Sequence, residues 1–196
     1  MRTAITPPPD AIVPGRSPLA PPAGTTVHGH YRACFGCGDA SPDGLRMQIT
    51  MGEGLTIFSE YAVTEAHQGA PGLAHGGVLG VAIDEMLGSC GYLIGTPTVT
   101  ARMEIDYVRP VPVGAVLHLE STIRCQHGRK VYVSATARLG DRDGEVALTA
   151  EGLIIIVGRE HFTTHGNATQ VAEVFGSSGD GTGTDGPGEL IVQVGP

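Results

Sequence analysis

Residues 75–90 read HGGVLGVAIDEMLGSC and predict the central helix of the fold. Apolar residues recur at helical spacing from Gly76 to about Cys90, so one side of this helix is expected to be buried. The residues on that side are Leu79, Ala82, Ile83 and Met86.

Alternating apolar and polar residues on both sides of the helix predict β-strands. Two strands precede the helix, at about residues 45–51 and 55–63. Four follow it, at about 99–107, 115–125, 131–139 and 146–157, with turn sequences such as Gln126-His127-Gly128 between them. The order ββαββββ, with about six strands, predicts an α+β fold whose long helix is buried on one face of an antiparallel sheet.

The two ends of the chain differ in composition from the middle. Residues 1–27 are rich in proline and predict an extended or disordered arm, and residues 158–196 are rich in glycine and predict a flexible tail. One domain is therefore expected over residues 28–157. The region from Met1 to Ala23 lacks the apolar segment of a secretory signal, so a cytoplasmic location and reduced cysteines are expected.

The charge and the hydropathy pattern exclude two classes of partner. The formal net charge is −8, which argues against binding to the phosphate backbone of nucleic acids. The sequence contains no apolar run of about 18 residues, the length that predicts a membrane span. We therefore expect neither nucleic acid nor a membrane as partner.

The helix carries an acid, Asp84, in an unusual setting. Gly77, Gly80 and Gly88 share its side of the helix. Glycine inside a helix costs about 1 kcal/mol relative to alanine, so such a row indicates close approach by a ligand or a backbone. Asp84 is accordingly expected to face a narrow slot, although a solvated acid is the ordinary alternative.

The beginning of the helix offers a second chemical group. The backbone N–H groups of Gly76 and Gly77 are expected to be free and could bind a developing oxyanion. With a carboxylate nearby, this arrangement is typical of acyl transfer or hydrolysis. His75 and Asp84, however, are nine residues apart, which is about 13 Å along a helix and about 180° around it. The two must therefore act on opposite sides or in different subunits, unless His75-Gly76-Gly77 is merely a turn and cap.

Several motifs together resemble the PaaI-like hotdog thioesterases. They are His75-Gly76-Gly77, Asp84-Glu85, Tyr107-Val108-Arg109-Pro110, Cys34-Phe35-Gly36-Cys37-Gly38 and His67-Gln68-Gly69-Ala70-Pro71-Gly72. The last two are similar to a subgroup related to the human mitochondrial long-chain acyl-CoA thioesterases. The resemblance covers about residues 31–157 and implies the hotdog fold.

The resemblance also implies roles for individual residues. Asp84 would be the nucleophile or general base, His75 would position the thioester, Gly76 would supply the oxyanion N–H, and Thr100 would orient water. Gly77 would line the same site. The site would lie between subunits of a homodimer or homotetramer, with His75 and Gly76 from one chain and Asp84 and Thr100 from the other. The substrate would be a fatty or aromatic acyl-CoA, and no cofactor is implied.

The sequence departs from some relatives at one position. They carry Asn six residues before the histidine, where this chain has Gly69, and Gln68 could substitute. Arg129 and Lys130 resemble a turn near the CoA nucleotide, where two cations suit phosphates. An exposed basic turn without a ligand is the alternative.

His28, His30, Cys34 and Cys37 form an H-x-H-x3-C-x2-C cluster, which is compatible with zinc. The resemblance argues against a metal at this cysteine pair, so no metal site is predicted. Glu85 is interpreted as a salt-bridge or interface residue.

Two other functions use the same pocket. A hotdog module could bind acyl-CoA without turnover as a sensor or carrier, or the fold could serve a dehydratase or hydratase. Asp84 and Thr100 together favour hydrolysis, because a binding module needs no acid near a thioester.

Overall fold

The computed structural model describes residues 5–175 and contains nine strands and four α-helices within that range. The helices are α1 (Gly76–Ser89), α2 (Gly91–Ile94), α3 (Arg159–His165) and α4 (Ala168–Phe175), and a 3-10 turn spans Glu65–His67. The strands are β1 (Thr26–Val27), β2 (Ile49–Met51), β3 (Thr56–Ala62), β4 (Gln68–Ala70), β5 (Leu73–Ala74), β6 (Thr98–Tyr107), β7 (Val116–His127), β8 (Lys130–Leu139) and β9 (Val146–Ile156).

Seven of the strands form one antiparallel sheet in the order β1-β2-β3-β7-β8-β9-β6. Strands β2, β3, β6, β7, β8 and β9 confirm the six predicted from alternation, and α1 confirms the predicted helix. The first predicted strand is shorter than expected, because Arg46 has a φ of 53° and interrupts extended backbone before Ile49. Strands β4 and β5 form a separate two-stranded hairpin that directly precedes α1.

Helix α1 lies on one face of the sheet and its apolar side fills the core. Ile83, Met86 and Leu87 are fully buried there. The helix approaches β9 closely because Gly152 has no side chain. A Cβ at this position would lie 2.7 Å from a methyl carbon of Leu87.

Helix α1 runs antiparallel to the edge strand β6. At the start of the helix, the Tyr107 hydroxyl donates to the Gly76 carbonyl at 2.9 Å. At its end, the Thr98 hydroxyl donates to the Gly88 carbonyl at 3.0 Å. These two contacts fix the level of every helix residue along β6.

Residues 5–27 are extended, as one of the two expectations had it, but they are held against the domain and are not a disordered arm. Ile12 exchanges two backbone hydrogen bonds with Gln126, and the Ser17 N–H donates to the Leu93 carbonyl at 2.8 Å. Arg16 donates to the carbonyls of Gly52, Gly54 and Pro21. A proline-rich segment needs few backbone partners of its own, so these contacts suffice to hold it against the domain.

The segment after β9 also differs from expectation in its first part. Residues 159–175 form α3 and α4 rather than a flexible tail, and Phe162 packs against Phe175 with ring centroids 5.4 Å apart. The composition of residues 158–196 did not predict these helices, because it was read as a whole and its glycines concentrate after residue 175. The rest of the predicted tail, and residues 1–4, lie outside the described residues.

The continuous helical stretch Gly76–Ile94 is long and apolar enough to cross a membrane by length and composition alone. In the fold, however, 61 % of it is buried inside the protein. This is the environment of a core helix in an α+β domain.

Candidate active site at the helix

His75 begins α1 as its capping residue. The ring Nδ1 of His75 accepts a hydrogen bond from the Gly77 N–H at 2.9 Å, and the His75 N–H donates to the His67 carbonyl at 2.8 Å. Because Nδ1 is an acceptor, the neutral imidazole carries its proton on Nε2. The exposed ring can therefore offer an Nε2–H donor to another molecule.

The capping bond corrects the prediction that two glycine N–H groups are free. Gly77 donates to His75, so its N–H is occupied. The Gly76 N–H has no hydrogen-bond acceptor within residues 5–175. Of the two glycines, Gly76 thus supplies the free N–H group. The Tyr107 hydroxyl donates to the carbonyl of the same residue, Gly76. No sequence pattern predicts this contact of Tyr107.

Gly69 is a close neighbour of His75 in space. A Cβ at Gly69 would lie 2.7 Å from the Cα of His75 and 3.0 Å from its ring Cδ2. A larger residue therefore does not fit here in this conformation. The Oε1 atom of Gln68 accepts from the Gly72 N–H at 2.9 Å and braces the hairpin, so the part of Gln68 in the site stays a prediction.

Asp84 lies in the middle of α1 with an exposed side chain. It makes no hydrogen bond or ion pair with any other residue in the described part of the chain. Gly80, one turn before it, faces Ile105, and Gly88, one turn after it, bonds to Thr98. Asp84 therefore lies level with residues 100–102 of β6.

A β-bulge at this level decides where Thr100 points. Thr100 pairs with Ile154, but the next pair is Arg102 with Leu153, so Ala101 is an extra residue. Cross-strand partners point to the same face of a sheet, and Ile154 is fully buried in the core. Thr100 therefore lies on the helix side of the sheet, at the level of Asp84.

Thr100 and Asp84 therefore lie at one level of β6, for a reason different from the predicted one. Thr100 was assigned to the polar face of its strand together with Arg102. The bulge separates the two, so Thr100 shares a face with Met103 instead, and Met103 packs against the core. The sequence carries no clear signal for an extra residue at Ala101.

The two halves of the predicted site do not meet within one chain. His75 and Gly76 lie near the Tyr107 end of β6, whereas Asp84 lies near Thr100. A Cβ added at Gly88 would have no atom of the described chain within 4 Å, so the glycine row remains open on that side.

The exposed basic turn lies at the far end of the sheet from Gly76. Arg129 precedes β8, Lys130 pairs with Ile155, and Ile156 pairs with Thr98 at the start of β6. Arg129 and Lys130 are exposed. The turn is thus separated from His75 by almost the full length of β6, about 30 Å.

The predicted metal cluster is changed by the structure. His28 lies outside it, whereas Glu85 of α1 joins His30, Cys34 and Cys37. The ligand atoms of these four side chains lie within 4.8 Å of one another. The expected salt-bridge role of Glu85 is met by His30, at 3.8 Å between Oε1 and Nδ1.

Hydrogen bonds among the side chains of this cluster shift their pKa values. Hydrogen bonding to Cys34, and then to Glu85, raises the pKa of His30 to about 10. Hydrogen bonding from Cys37 lowers the pKa of Cys34 to about 3. These two shifts are among the largest of the described residues.

The sequence of this chain is similar to a family model and to several curated proteins. The thioesterase superfamily model matches residues 71–146. Acyl-coenzyme A thioesterase THEM4 of Bos taurus is 37 % identical over 97 residues, covering 50 % of this chain and 39 % of the relative. Acyl-coenzyme A thioesterase THEM5 of Mus musculus is 33 % identical over 75 residues, covering 38 % of this chain and 30 % of the relative. The chain thus spans less than half the length of these relatives.

Solved structures share the fold. The E. coli PaaI protein from the phenylacetic acid degradation operon superposes with a TM-score of 0.55 at 21 % identity, covering 61 % of this chain and 86 % of that protein. A Streptococcus mutans protein bound to acetyl CoA superposes with a TM-score of 0.53 at 18 % identity, covering 57 % of this chain and 89 % of that protein.

A long helix packed on an antiparallel sheet is the hotdog fold, and in this chain the helix begins after His75 and carries Asp84. Residues 71–146 of this chain are thus similar to the thioesterase superfamily, and its fold is the hotdog fold of the PaaI protein.

Proposed function

We propose that the protein is an acyl-CoA thioesterase that hydrolyses a fatty or aromatic acyl-CoA to the free acid and CoA. The observation that carries the proposal is the placement of Asp84, exposed and without a bonding partner among residues 5–175, at the level of Thr100. The THEM4 and THEM5 relatives, both named acyl-coenzyme A thioesterases, support the same reaction.

In the proposed reaction, a water molecule attacks the thioester carbonyl carbon. The Asp84 carboxylate accepts a proton from that water, and the Thr100 hydroxyl orients it. The carbonyl oxygen becomes an oxyanion that accepts a hydrogen bond from the Gly76 N–H. The tetrahedral intermediate then collapses, the carbon–sulfur bond breaks, and CoA leaves as a thiolate that takes up a proton. Direct attack by the carboxylate, with water hydrolysing the resulting anhydride, gives the same products.

We further propose that the reacting groups come from two protomers of a homodimer or homotetramer. His75 and Asp84 lie on opposite sides of one helix, about 13 Å apart along it. An antiparallel pairing of two β6 strands would place the Tyr107 end of one protomer beside the Thr98 end of its partner. Strand β6 suits this pairing because it is an edge strand, with Tyr107 and Val108 54 % and 49 % exposed.

The same pairing gives the basic turn a role. Arg129 and Lys130 of one protomer would approach the helix start of its partner, where their charges could bind CoA phosphates. The S. mutans neighbour bound to acetyl CoA supports a CoA thioester as ligand of this fold. Acyl-chain length and aromatic preference depend on side chains along α1 and β6 such as Met103.

Substitution of Asp84 tests the proposed reaction. We expect Asp84→Asn to lower kcat by about 10²- to 10⁴-fold, because the amide cannot accept the proton from water. Thiol release from acyl-CoA substrates of increasing chain length and from an aromatic acyl-CoA is the measurement. Asp43→Asn, at an exposed acid outside the proposed site, is the matched control and should keep wild-type rates.

Two outcomes would contradict the proposal. Wild-type rates in Asp84→Asn would remove Asp84 from the reaction. A wild-type protein that binds acyl-CoA but releases no thiol from any substrate would instead indicate the binding module.

A further inference from the structure

The four-residue cluster of His30, Cys34, Cys37 and Glu85 lies apart from the proposed active site and has no part in its chemistry. The His30 Nδ1 lies 3.1 Å from the Cys37 Sγ and 3.8 Å from a carboxylate oxygen of Glu85. The Cys34 Sγ lies 3.6 Å from the other carboxylate oxygen of Glu85. Three side chains from one short loop thus converge on one helix residue that is 51 positions away from Cys34.

The loop backbone is shaped around the two sulfurs. The Cys34 N–H donates to the Tyr31 carbonyl at 2.9 Å, and the Gly38 N–H donates to the Cys34 carbonyl at 2.9 Å. These turns hold the two cysteines on one short loop, and a cysteine binds a metal as its thiolate.

Glycines make the convergence possible. A Cβ at Gly36 would lie 2.2 Å from a carboxylate oxygen of Glu85, and a Cβ at Gly38 would lie 2.2 Å from the Arg32 carbonyl oxygen. Gly29 has a φ of +65°, and a Cβ there would lie 2.7 Å from the Cys37 carbonyl oxygen. Side chains at these positions would push the loop and the helix apart.

The cluster has an excess of anionic groups over cations. The Glu85 side chain is 9 % exposed, and no lysine or arginine pairs with it in the described part of the chain. Its neighbours are His30, Cys34 and the Ser89 hydroxyl, which donates at 3.4 Å. A buried carboxylate is stable only when a cation or several donors compensate its charge.

We propose that His30, Cys34, Cys37 and Glu85 bind one Zn²⁺ ion. Tetrahedral zinc at about 2.0–2.3 Å from its ligands separates the ligand atoms by about 3.3–3.8 Å. The observed separations of 3.1, 3.6 and 3.8 Å fit this with small adjustments. Two sulfurs with one imidazole favour zinc over magnesium or calcium, which prefer oxygen ligands.

The protein fills all four positions, so the zinc is structural and binds no substrate. It ties the loop of residues 30–37 to α1 at Glu85, the residue directly after Asp84. The ion thereby helps to fix the rotation of the helix that carries the proposed catalytic acid. This inference does not depend on the proposed hydrolysis.

Metal analysis of untagged full-length protein, expressed with added zinc, tests the proposal. We expect about one zinc per chain by mass spectrometry of the metal content. His30→Ala and Cys34→Ser should each lose most of it. Their matched controls are His28→Ala, an exposed histidine two residues away, and Cys125→Ser, a cysteine on β7 outside the cluster. Both controls should keep the metal.

A second measurement uses the wild-type fold, in case the variants do not fold. Zinc is removed with a chelator and replaced by Co²⁺, and the thiolate-to-cobalt absorption band is recorded. Glu85→Gln, which keeps the size of the side chain, should weaken Co²⁺ binding by about tenfold or more. Wild-type protein with neither zinc nor the cobalt band would overturn the proposal. So would a Cys34–Cys37 disulfide in freshly purified metal-free protein, or equal zinc loss from the control variants.

Discussion

At the scale of single residues, His75 has two separable tasks. Its Nδ1 caps α1 through the Gly77 N–H, and its Nε2–H is left as the donor that would bind substrate in the proposed reaction. Asparagine is a good capping residue but has no group at the position of Nε2. Alanine can do neither task.

We therefore expect His75→Asn and His75→Ala to separate stability from activity. His75→Ala should lower the free energy of unfolding by about 1 kcal/mol, and His75→Asn by much less. Both should reduce kcat/KM to a similar extent. Urea unfolding and thiol release are the measurements. Equal stability of the two variants would show that the capping bond contributes little.

Residue identities at the site were largely predictable, but their partners were not. His75, Gly76 and Asp84 follow from spacing and from the family motif, since both are local properties of the chain. The loss of the Gly77 N–H to the His75 ring depends on a side-chain rotamer, which no sequence pattern reports. Glu85 in the cysteine cluster is a contact across 51 residues, so it also required the fold.

At the scale of elements, the packing of α1 against β9 sets the position of the site. Leu87 occupies the space above Gly152, and both are buried. A well-packed core resists added volume, because neighbouring side chains have little room to move.

We expect Gly152→Ala to lower the free energy of unfolding by about 1–3 kcal/mol. Gly15→Ala is the control, because a Cβ there would have no atom within 4 Å. Urea unfolding of both variants is the measurement. In a Leu87→Ala background the Gly152→Ala cost should shrink, because the added methyl then has space. An unchanged cost in that background would place the strain elsewhere.

The elements themselves were predictable where their periodicity is regular. All six strands and α1 were expected from alternation and helical spacing, which follow from burial of one face. Strand β1 was missed because its two residues are too few to show a period. Helices α3 and α4 were missed because the glycine-rich composition of the last residues dominated the interpretation of that segment.

At the scale of the whole molecule, the active site that we propose requires an assembly. One protomer would offer the helix start with its Gly76 N–H, and its partner would offer Asp84 and Thr100. The edge position of β6 makes such an assembly possible. The cytoplasmic location stays a prediction.

Mixed dimers test the division of labour. A dimer of one His75→Ala chain and one Asp84→Asn chain contains one intact site and one doubly substituted site. We expect about half of the wild-type activity per dimer, although each variant alone is nearly inactive. Differently tagged chains, purified together and assayed by thiol release, provide the measurement.

The control dimer combines Asp84→Asn with Thr100→Ala. Because both residues are expected to come from the same protomer, this dimer has no intact site and should stay nearly inactive. Recovery in the control but not in the first dimer would contradict the shared site.

The extra residue at Ala101 also affects how this strand is matched with homologous strands. Thr98 and Thr100 precede the bulge, and Met103 and Ile105 follow it. Even-numbered residues of β6 therefore face the helix before the bulge, and odd-numbered residues face it after the bulge. A regular strand that kept Ala101 would place Ala101 opposite Ile154 and turn Thr100 to the other face, whereas loss of Ala101 would leave Thr100 opposite Ile154. A homologous strand that lacks the bulge therefore matches this one on both sides only when a gap is placed at Ala101.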